Sequence, residues 1–358
     1  MQLTDEADSA GSGTLMLHLL GRCNLRCLHC YMEGGPYRRE MLAADAVVAA
    51  IGEAPGLGFG SLYVTGGEPT LYPYLDRVIE AAGVSDGMTR TLCSNGTRLT
   101  WTLVHRLAES GFRLNVSLDG TAPFHDSFRR LEGTFADTLR GINLAVDAGL
   151  RVTIIASIGR RNVSMLGFLA ETALDVGAAA FRVQPLLALG RAHDLADDRL
   201  APAELDAMIM ALSDIANRTR GRLEVSLIGQ SLRYLRAHPC AAYVCNGGGC
   251  HRRVAREIKK LVVREDGTML PEATNLDPSY AIGTLGEAPL SALVGRYLDH
   301  DYDRFDALCR ATYKRHIPDW PASIVPWDMV LASASREVIP LAPAQRTSRE
   351  SLAPASIS

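Results

Sequence analysis

The chain holds eight cysteines, Cys23, Cys27, Cys30, Cys93, Cys240, Cys245, Cys250 and Cys309. Cysteine used only as a small core hydrophobe would be scattered, but here most of it crowds into two short loops. The first loop reads Gly21-Arg22-Cys23-Asn24-Leu25-Arg26-Cys27-Leu28-His29-Cys30-Tyr31, a Cys-x3-Cys-x2-Cys spacing. Three thiolates on one loop can hold three irons of a [4Fe–4S] cluster, which leaves the fourth iron open to a small chelating molecule. A structural zinc site wants four ligands arranged as two pairs, and three unequally spaced cysteines with His29 pressed against Cys30 meet that less well. The second loop carries Cys240, Cys245 and Cys250, with Cys309 further on. Four thiolates suit one auxiliary [4Fe–4S] cluster. Zinc on these cysteines with His251 or Cys309, or a three-cysteine cluster that frees one thiol as a hydrogen donor, are the competing chemistries. Cys93 stands apart from both loops.

The elements that would position these groups follow a rhythm. Short apolar runs at Leu15–Leu20, Ser61–Val64, Thr91–Cys93, Leu114–Leu118, Val152–Ala156 and Phe181–Val183 read as strands. Helical periodicity lies between them, near 42–54, 74–83, 98–110, 134–148 and 163–176. In the 134–148 segment Phe135, Leu139, Ile142 and Val146 recur at three- and four-residue steps and predict one apolar face. Gly111 and Gly149 sit where helices would end. Repeated βα units imply parallel strands with right-handed crossovers. Six units predict an α/β fold, a partial (β/α)6 TIM-type barrel with its chemistry at the C-terminal ends of the strands. A further helix is predicted at 202–218, after which the rhythm breaks and a hairpin is expected around Asp266-Gly267. The expected division is a flexible N-terminus at 1–13, the barrel core at 14–192, a connecting helix with a small α+β auxiliary domain at 193–333, and a disordered tail at 334–358.

The first loop resembles the signature of the radical S-adenosylmethionine (radical SAM) superfamily. Further elements are similar to that family's landmarks and fall in its order. They are Thr65-Gly66-Gly67-Glu68-Pro69, Ser94-Asn95-Gly96, Ser117-Leu118-Asp119-Gly120 with His125-Asp126-x-x-Arg129, Asn162, Gln184-Pro185 and Gly190-Arg191, each after a predicted strand. The resemblance covers about residues 14–192. It implies that Cys23, Cys27 and Cys30 hold a [4Fe–4S] cluster whose open iron chelates S-adenosylmethionine. Reduction then yields methionine and a 5′-deoxyadenosyl radical that abstracts hydrogen from substrate. Gly66, Gly67 and Glu68 would meet the ammonium group, Ser117 and Arg129 the carboxylate, and Asn162 and Gln184 the ribose or adenine. Asn162 also reads as a helix cap, the commoner use of Asn at such a position. Cys93, at a strand end, reads as a core residue or as a hydrogen donor to a substrate radical. The second cysteine loop resembles a SPASM or twitch-type auxiliary-cluster extension, but Pro271 is followed by Glu272 where that pattern has Cys. The four remaining cysteines suffice for one auxiliary cluster at most.

Composition narrows the classes. There are 37 Lys+Arg against 40 Asp+Glu, a net charge of -3, which gives no general field for nucleic acid or an anionic membrane. No apolar run approaches a membrane span, and the N-terminus lacks an apolar signal core, so a cytoplasmic protein is expected. Its cysteines then read as metal ligands rather than disulfides. The expected activity is that of a radical SAM oxidoreductase in natural-product biosynthesis. Its substrate would be a small molecule such as a sugar or nucleoside, or a ribosomal peptide. The outcome would be oxidation, epimerisation, cross-linking or decarboxylation. Cys23 lies too near the start for a preceding leader-binding domain, which shifts the expectation towards a small molecule or a separately presented peptide. The expected partners are that substrate and an electron donor such as flavodoxin or ferredoxin. A non-catalytic iron–sulfur electron carrier and a zinc-stabilised binding module are the rivals. Both need the cysteines but not the other landmarks.

Overall fold

The computed structural model describes residues 2–4, 13–85, 87–187, 189–243 and 254–337. The first part of the chain alternates strand and helix. It runs β1 Gln2–Thr4, β2 Gly13–His18, α1 Ala44–Glu53, β3 Phe59–Thr65, α2 Leu75–Gly83, β4 Thr89–Ser94, α3 Trp101–Glu109, β5 Phe112–Ser117, α4 Ala122–Arg129, α5 Thr134–Asp147, β6 Arg151–Ile158, α6 Leu166–Asp175, β7 Ala180–Pro185, α7 Pro202–Arg218 and β8 Glu224–Ile228. The second part holds β9 Gln230–Ser231, α8 Leu232–Ala237, α9 Val254–Glu257, β10 Lys260–Val263, β11 Thr268–Pro271, β12 Gly283–Thr284, α10 Leu290–His300, α11 Tyr302–His316, β13 Ile324–Val325 and α12 Trp327–Arg336.

Among the described residues, eleven strands form one sheet in the order β1-β8-β7-β6-β5-β4-β3-β2-β10-β11-β12. Strands β2 to β8 pair in parallel with their sequence neighbours, as βα units require. The two faces of each strand differ. In β2, Leu15 and Leu17 are fully buried in the layer between sheet and helices. Met16 turns to the other face, where it packs with Tyr63, Cys93 and Val262 in a small separate cluster. That inner face is the barrel lumen.

The expected boundary after residue 192 does not interrupt the sheet. Helix α7 leads into β8, which pairs in parallel with β7 (Ala180 beside Glu224) as one more βα step. On the other side β10 pairs in parallel with β2, Lys260 beside Thr14, and β11 returns antiparallel. These pairings join residues far apart in the chain, which local periodicity does not report. Gln2–Thr4, expected within a flexible segment, pair in parallel with Ser226–Ile228. Helix α12 runs to Arg336, so Ala334–Arg336 are helical, and the rest of the expected tail from 338 lies outside the described residues. No helix among the described residues is long and apolar enough to cross a membrane.

Helix α5 departs from its predicted face. The residues it buries are Thr134, Thr138, Gly141, Ile142 and Ala145, while Phe135, Leu139 and Val146 are only partly covered. The reason is a close approach to the turn after β4. Thr138 Oγ1 donates to the Asn95 carbonyl at 2.9 Å, and Gly141 lies so near the Gly96 carbonyl that any Cβ would collide with it. Small residues win that contact over large ones. Replacing a helical glycine by alanine ordinarily stabilises by about 1 kcal/mol, but overpacking against fixed backbone costs about 1–3 kcal/mol. Gly141→Ala is therefore expected to lower the melting temperature by about 2–4 °C. A rise on thermal unfolding would show that α5 does not rest on this turn.

Candidate active site

The loops after β2 to β7 gather at the C-terminal edge of the sheet, where they enclose a cavity of ≈ 170 Å³. Its construction starts at the cysteine loop. Gly21 and Gly35 are paired (Gly35 N to Gly21 O, 3.2 Å), and Cys23 N donates to Gly35 O at 3.1 Å, so the chain returns over itself. The turn after β3 then locks beneath it. Gly67 N donates to Leu20 O at 2.6 Å and Glu68 N to Arg22 O at 2.9 Å. A Cβ on Gly67 would collide with the Arg22 carbonyl, so that glycine permits close backbone packing against the cysteine loop as well as against the cavity it lines. The far half of the loop is held from β7. Arg191 N donates to Cys30 O (3.1 Å), its Nε to Cys27 O (2.9 Å) and its Nη2 to Gly34 O (2.9 Å).

Cys23, Cys27 and Cys30 all line this cavity and are free thiols. Burial, then the neighbouring Glu68 carboxylate, pushes the Cys23 thiol up to about 12. Burial raises Cys27 to about 11, with Arg129 opposing. Gly66, Gly67, Ser117, Arg129, Gln184 and Cys93 line the same space. Two expected residues do not. Glu68 is fully buried behind the wall, where its carboxylate accepts from Ser94 Oγ (2.8 Å), Thr70 Oγ1 (2.8 Å) and Asn95 N (2.8 Å) and ties the end of β3 to that of β4. Asn162 stands at the N-cap position of the short helical turn Val163–Met165, but its side chain makes no capping bond there and does not line the cavity. Its Oδ1 accepts from Gly159 N at 2.8 Å, and its Nδ2 donates to the carbonyls of Asp119 (2.8 Å) and Ser157 (2.9 Å), joining the ends of β5 and β6.

Arg129 reaches the cavity through a buried ion pair. Its Nε and Nη2 both donate to Asp119 Oδ2, at 3.0 and 2.7 Å. Asp119 Oδ1 accepts from Ser157 N at 3.0 Å. Burial alone would raise the Asp119 carboxyl, but Arg129, His29, His125 and the Ser157 N–H together hold it at about 2. His29 stacks on Phe128 with centroids 4.2 Å apart, and burial lowers it to about 4. Its Nδ1 and the Nε2 of His125 are buried without a hydrogen-bond partner. Asp119, His29, Asn95 and Arg191 were not assigned roles from the sequence. All four stand within the quoted motifs, but a motif does not display that the Arg191 guanidinium is spent on the Cys27 and Gly34 carbonyls.

Residues 17–171 match the model of the radical SAM superfamily. That segment carries the first cysteine loop and the elements from the end of β2 into α6, and it is similar to radical SAM proteins. The AdoMet-dependent heme synthase of Methanosarcina barkeri is 29% identical over 221 residues, 61% of this chain and 62% of that protein. The antilisterial bacteriocin subtilosin biosynthesis protein AlbA of Bacillus subtilis is 28% identical over 180 residues, 49% of this chain and 40% of that protein. The chain thus matches only part of the length of either relative. The crystal structure of Streptococcus suis SuiB bound to precursor peptide SuiA superposes with a TM-score of 0.64 at 16% identity, over 81% of this chain and 65% of that one, a likeness of fold.

The similarity to the radical SAM superfamily over residues 17–171 points to a [4Fe–4S] cluster and S-adenosylmethionine. The residues present fit both. Three free thiols line one cavity, the donor set of a thiolate-held cluster with one iron left open. The raised thiols imply that positive charge from a metal must accompany their ionisation. Arg129 supplies a fixed cation for a carboxylate.

The second cysteine set is only partly visible. Cys245 and Cys250 lie outside the described residues. Cys240 is exposed, whereas Cys309 is buried in α11, where burial, then Glu272, pushes its thiol well up. Lys259 links their surroundings: its Nζ donates to Cys240 O at 2.7 Å, and its charge partly offsets the shift at Cys309.

The Asp119–Arg129 pair is open to test. A depressed carboxyl contributes stability above its unfolded value of about 3.9 and loses it as pH falls through about 2. Asp119→Asn leaves Arg129 buried and uncompensated, and is expected to cost about 3–5 kcal/mol at pH 7 by urea unfolding. Adding Arg129→Leu should recover much of that loss. A double variant no more stable than the single would refute the pairing.

Proposed function

We propose that this protein reductively cleaves S-adenosylmethionine and uses the resulting 5′-deoxyadenosyl radical to abstract hydrogen from a natural-product substrate, a small molecule or a peptide. The observation that carries this reading is the convergence of three free thiols, the Gly66-Gly67 turn, Arg129, Ser117 and Gln184 on one cavity. When bound to Cys23, Cys27 and Cys30, the cluster supplies the electron for sulfonium cleavage. The chain's own residues then divide the work of binding. Arg129, anchored on one edge by Asp119, presents the rest of its guanidinium to the methionyl carboxylate. Gly66 and Gly67 allow the ligand close to backbone. Ser117 and Gln184 offer hydrogen bonds to its polar groups. Leu25, Ile155 and Leu186 wall the cavity with apolar surface that keeps water from a reactive radical.

Substrate reaches this cavity from a neighbouring chamber that shares Gln184, Pro185 and Leu187 with it. Lys260, Glu272 and Asp328 line that chamber and suit a polar substrate. The relatives named for heme synthesis and for bacteriocin biosynthesis support a natural-product substrate without choosing its class. Cys93, within 3.6 Å of Asn115 Nδ2, is the hydrogen donor in this reading if the reaction returns hydrogen to the substrate. Cys240, Cys245, Cys250 and Cys309 are the ligands of one auxiliary cluster, and a flavodoxin or ferredoxin is the electron donor.

Anaerobically reconstituted protein should release 5′-deoxyadenosine from S-adenosylmethionine after dithionite reduction, and Cys27→Ala should abolish the release. Turnover retained by that variant would show that the loop is not the cluster site. Iron analysis should give about eight irons per chain, whereas about four would remove the auxiliary cluster.

A further inference from the structure

The outer face of the cysteine loop is basic in a chain whose net charge is -3. Arg22 and Arg26 flank Cys23 and Cys27 and are exposed. The chain then returns alongside the loop, since Arg22 bridges Gly35 and Leu20 bridges Met41, and this return carries the exposed Arg39. The Arg26 side chain lies 3.8 Å from where a Cβ on Gly35 would stand. Arg98 joins them from the turn after β4, which is tied to the loop by Asn24 Nδ2 donating to Thr97 Oγ1 at 2.9 Å. None of these four guanidinium groups makes a hydrogen bond or ion pair among the described residues. The acidic side chains of the loop do not neutralise the patch. Glu40 is engaged by Arg38, which also pairs with Glu265, so Glu33 is the one carboxylate on the loop without a cation of its own. Two apolar side chains stand among the arginines, Tyr37 at 86% exposure and Met41 at 43%.

Exposed Arg, Tyr and Met on one face are the residue types enriched where proteins dock. Unpaired charge of a single sign steers a partner of the other sign. The position directly outside the cluster ligands says what that partner exchanges. We propose that this face is the docking surface for a small acidic one-electron carrier protein, an assignment that rests on the functional reading above. One electron leaves the reduced carrier and enters this protein through the cysteine loop. The carrier is oxidised by one electron, the cluster that Cys23, Cys27 and Cys30 would hold is reduced by that electron, and no bond or proton need move.

Reduced flavodoxin is the probe, and the full reconstituted chain is the target. Calorimetric titration should show binding that weakens as salt rises. Arg26→Glu with Arg39→Glu should weaken it about tenfold at low salt and flatten the salt dependence. Arg39→Glu with Arg98→Glu avoids both neighbours of the cysteines and should act in the same direction if the first variant loads iron poorly. Arg220→Glu with Arg222→Glu, on the turn before β8 at the opposite edge of the sheet, should bind as the parent does. Equal affinity of the parent and both loop variants, or equal loss in the remote variant, overturns the docking face. Dithionite needs no docking surface, so 5′-deoxyadenosine release driven by it should be the same in the parent and in Arg39→Glu with Arg98→Glu. If the parent releases none, the functional reading fails and takes this assignment with it. If it releases normally and flavodoxin affinity is unmoved in the variants, only the docking face fails.

Discussion

The site depends on one close approach, that of the Gly66-Gly67 turn to the backbone of the cysteine loop. Gly67 donates to Leu20, and Glu68 donates to Arg22, with no room for a Cβ between the two segments. Through these bonds the loop carrying Cys23 takes its place from the end of β3 rather than from its own sequence. Glu68 passes the constraint on, since its buried carboxylate fastens the turn after β4. Asn95 in that turn donates back to Asn24 Oδ1 at 3.0 Å and closes the circuit. Arg191 does the same for Cys27 and Cys30 from β7. A short metal-binding loop with little secondary structure is in this way held by several strand ends at once.

Electrostatics follow from that enclosure. Asp119 and Arg129 are both buried, and each is tolerable there only because the other is present. The same low-dielectric surroundings push the Cys23 and Cys27 thiols up and His29 down. The Asp119–Arg129 pair at the cavity is thus close to charge balance. The cysteines, which would hold a cationic metal, and Arg129, which would meet an anion, line the same cavity. A cluster bound to a zwitterionic amino-acid ligand has that arrangement of charge.

Much of this was legible in the residues. The cysteine spacing, the glycine pair and the turn residues after each strand placed the cavity, because such motifs are local and sit where parallel strands end. What local reading missed was the partner of each side chain. Glu68 and Asn162 have the right chemistry for a ligand and the right position in the chain, yet their polar atoms serve neighbouring backbone. The face of α5 was misjudged because periodicity weighs hydrophobicity, whereas Gly141 and Thr138 are buried for their small size and their hydrogen bond. The joining of β10 to β2 rests on a pairing across most of the chain, which no periodic pattern encodes.

That last pairing has a consequence for how the molecule is made. Strand β2 carries the cysteine loop, and it meets β3 early in synthesis but β10 only when residues 260–263 have appeared. Until then β2 is an edge strand with open backbone donors and acceptors. Non-local pairing is slow and leaves such edges exposed in partly folded chains. The thiols of Cys23, Cys27 and Cys30 therefore pass through a stage at the rim of an unfinished sheet. A nascent chain would be open to oxidation there, and equally open to receiving its metal.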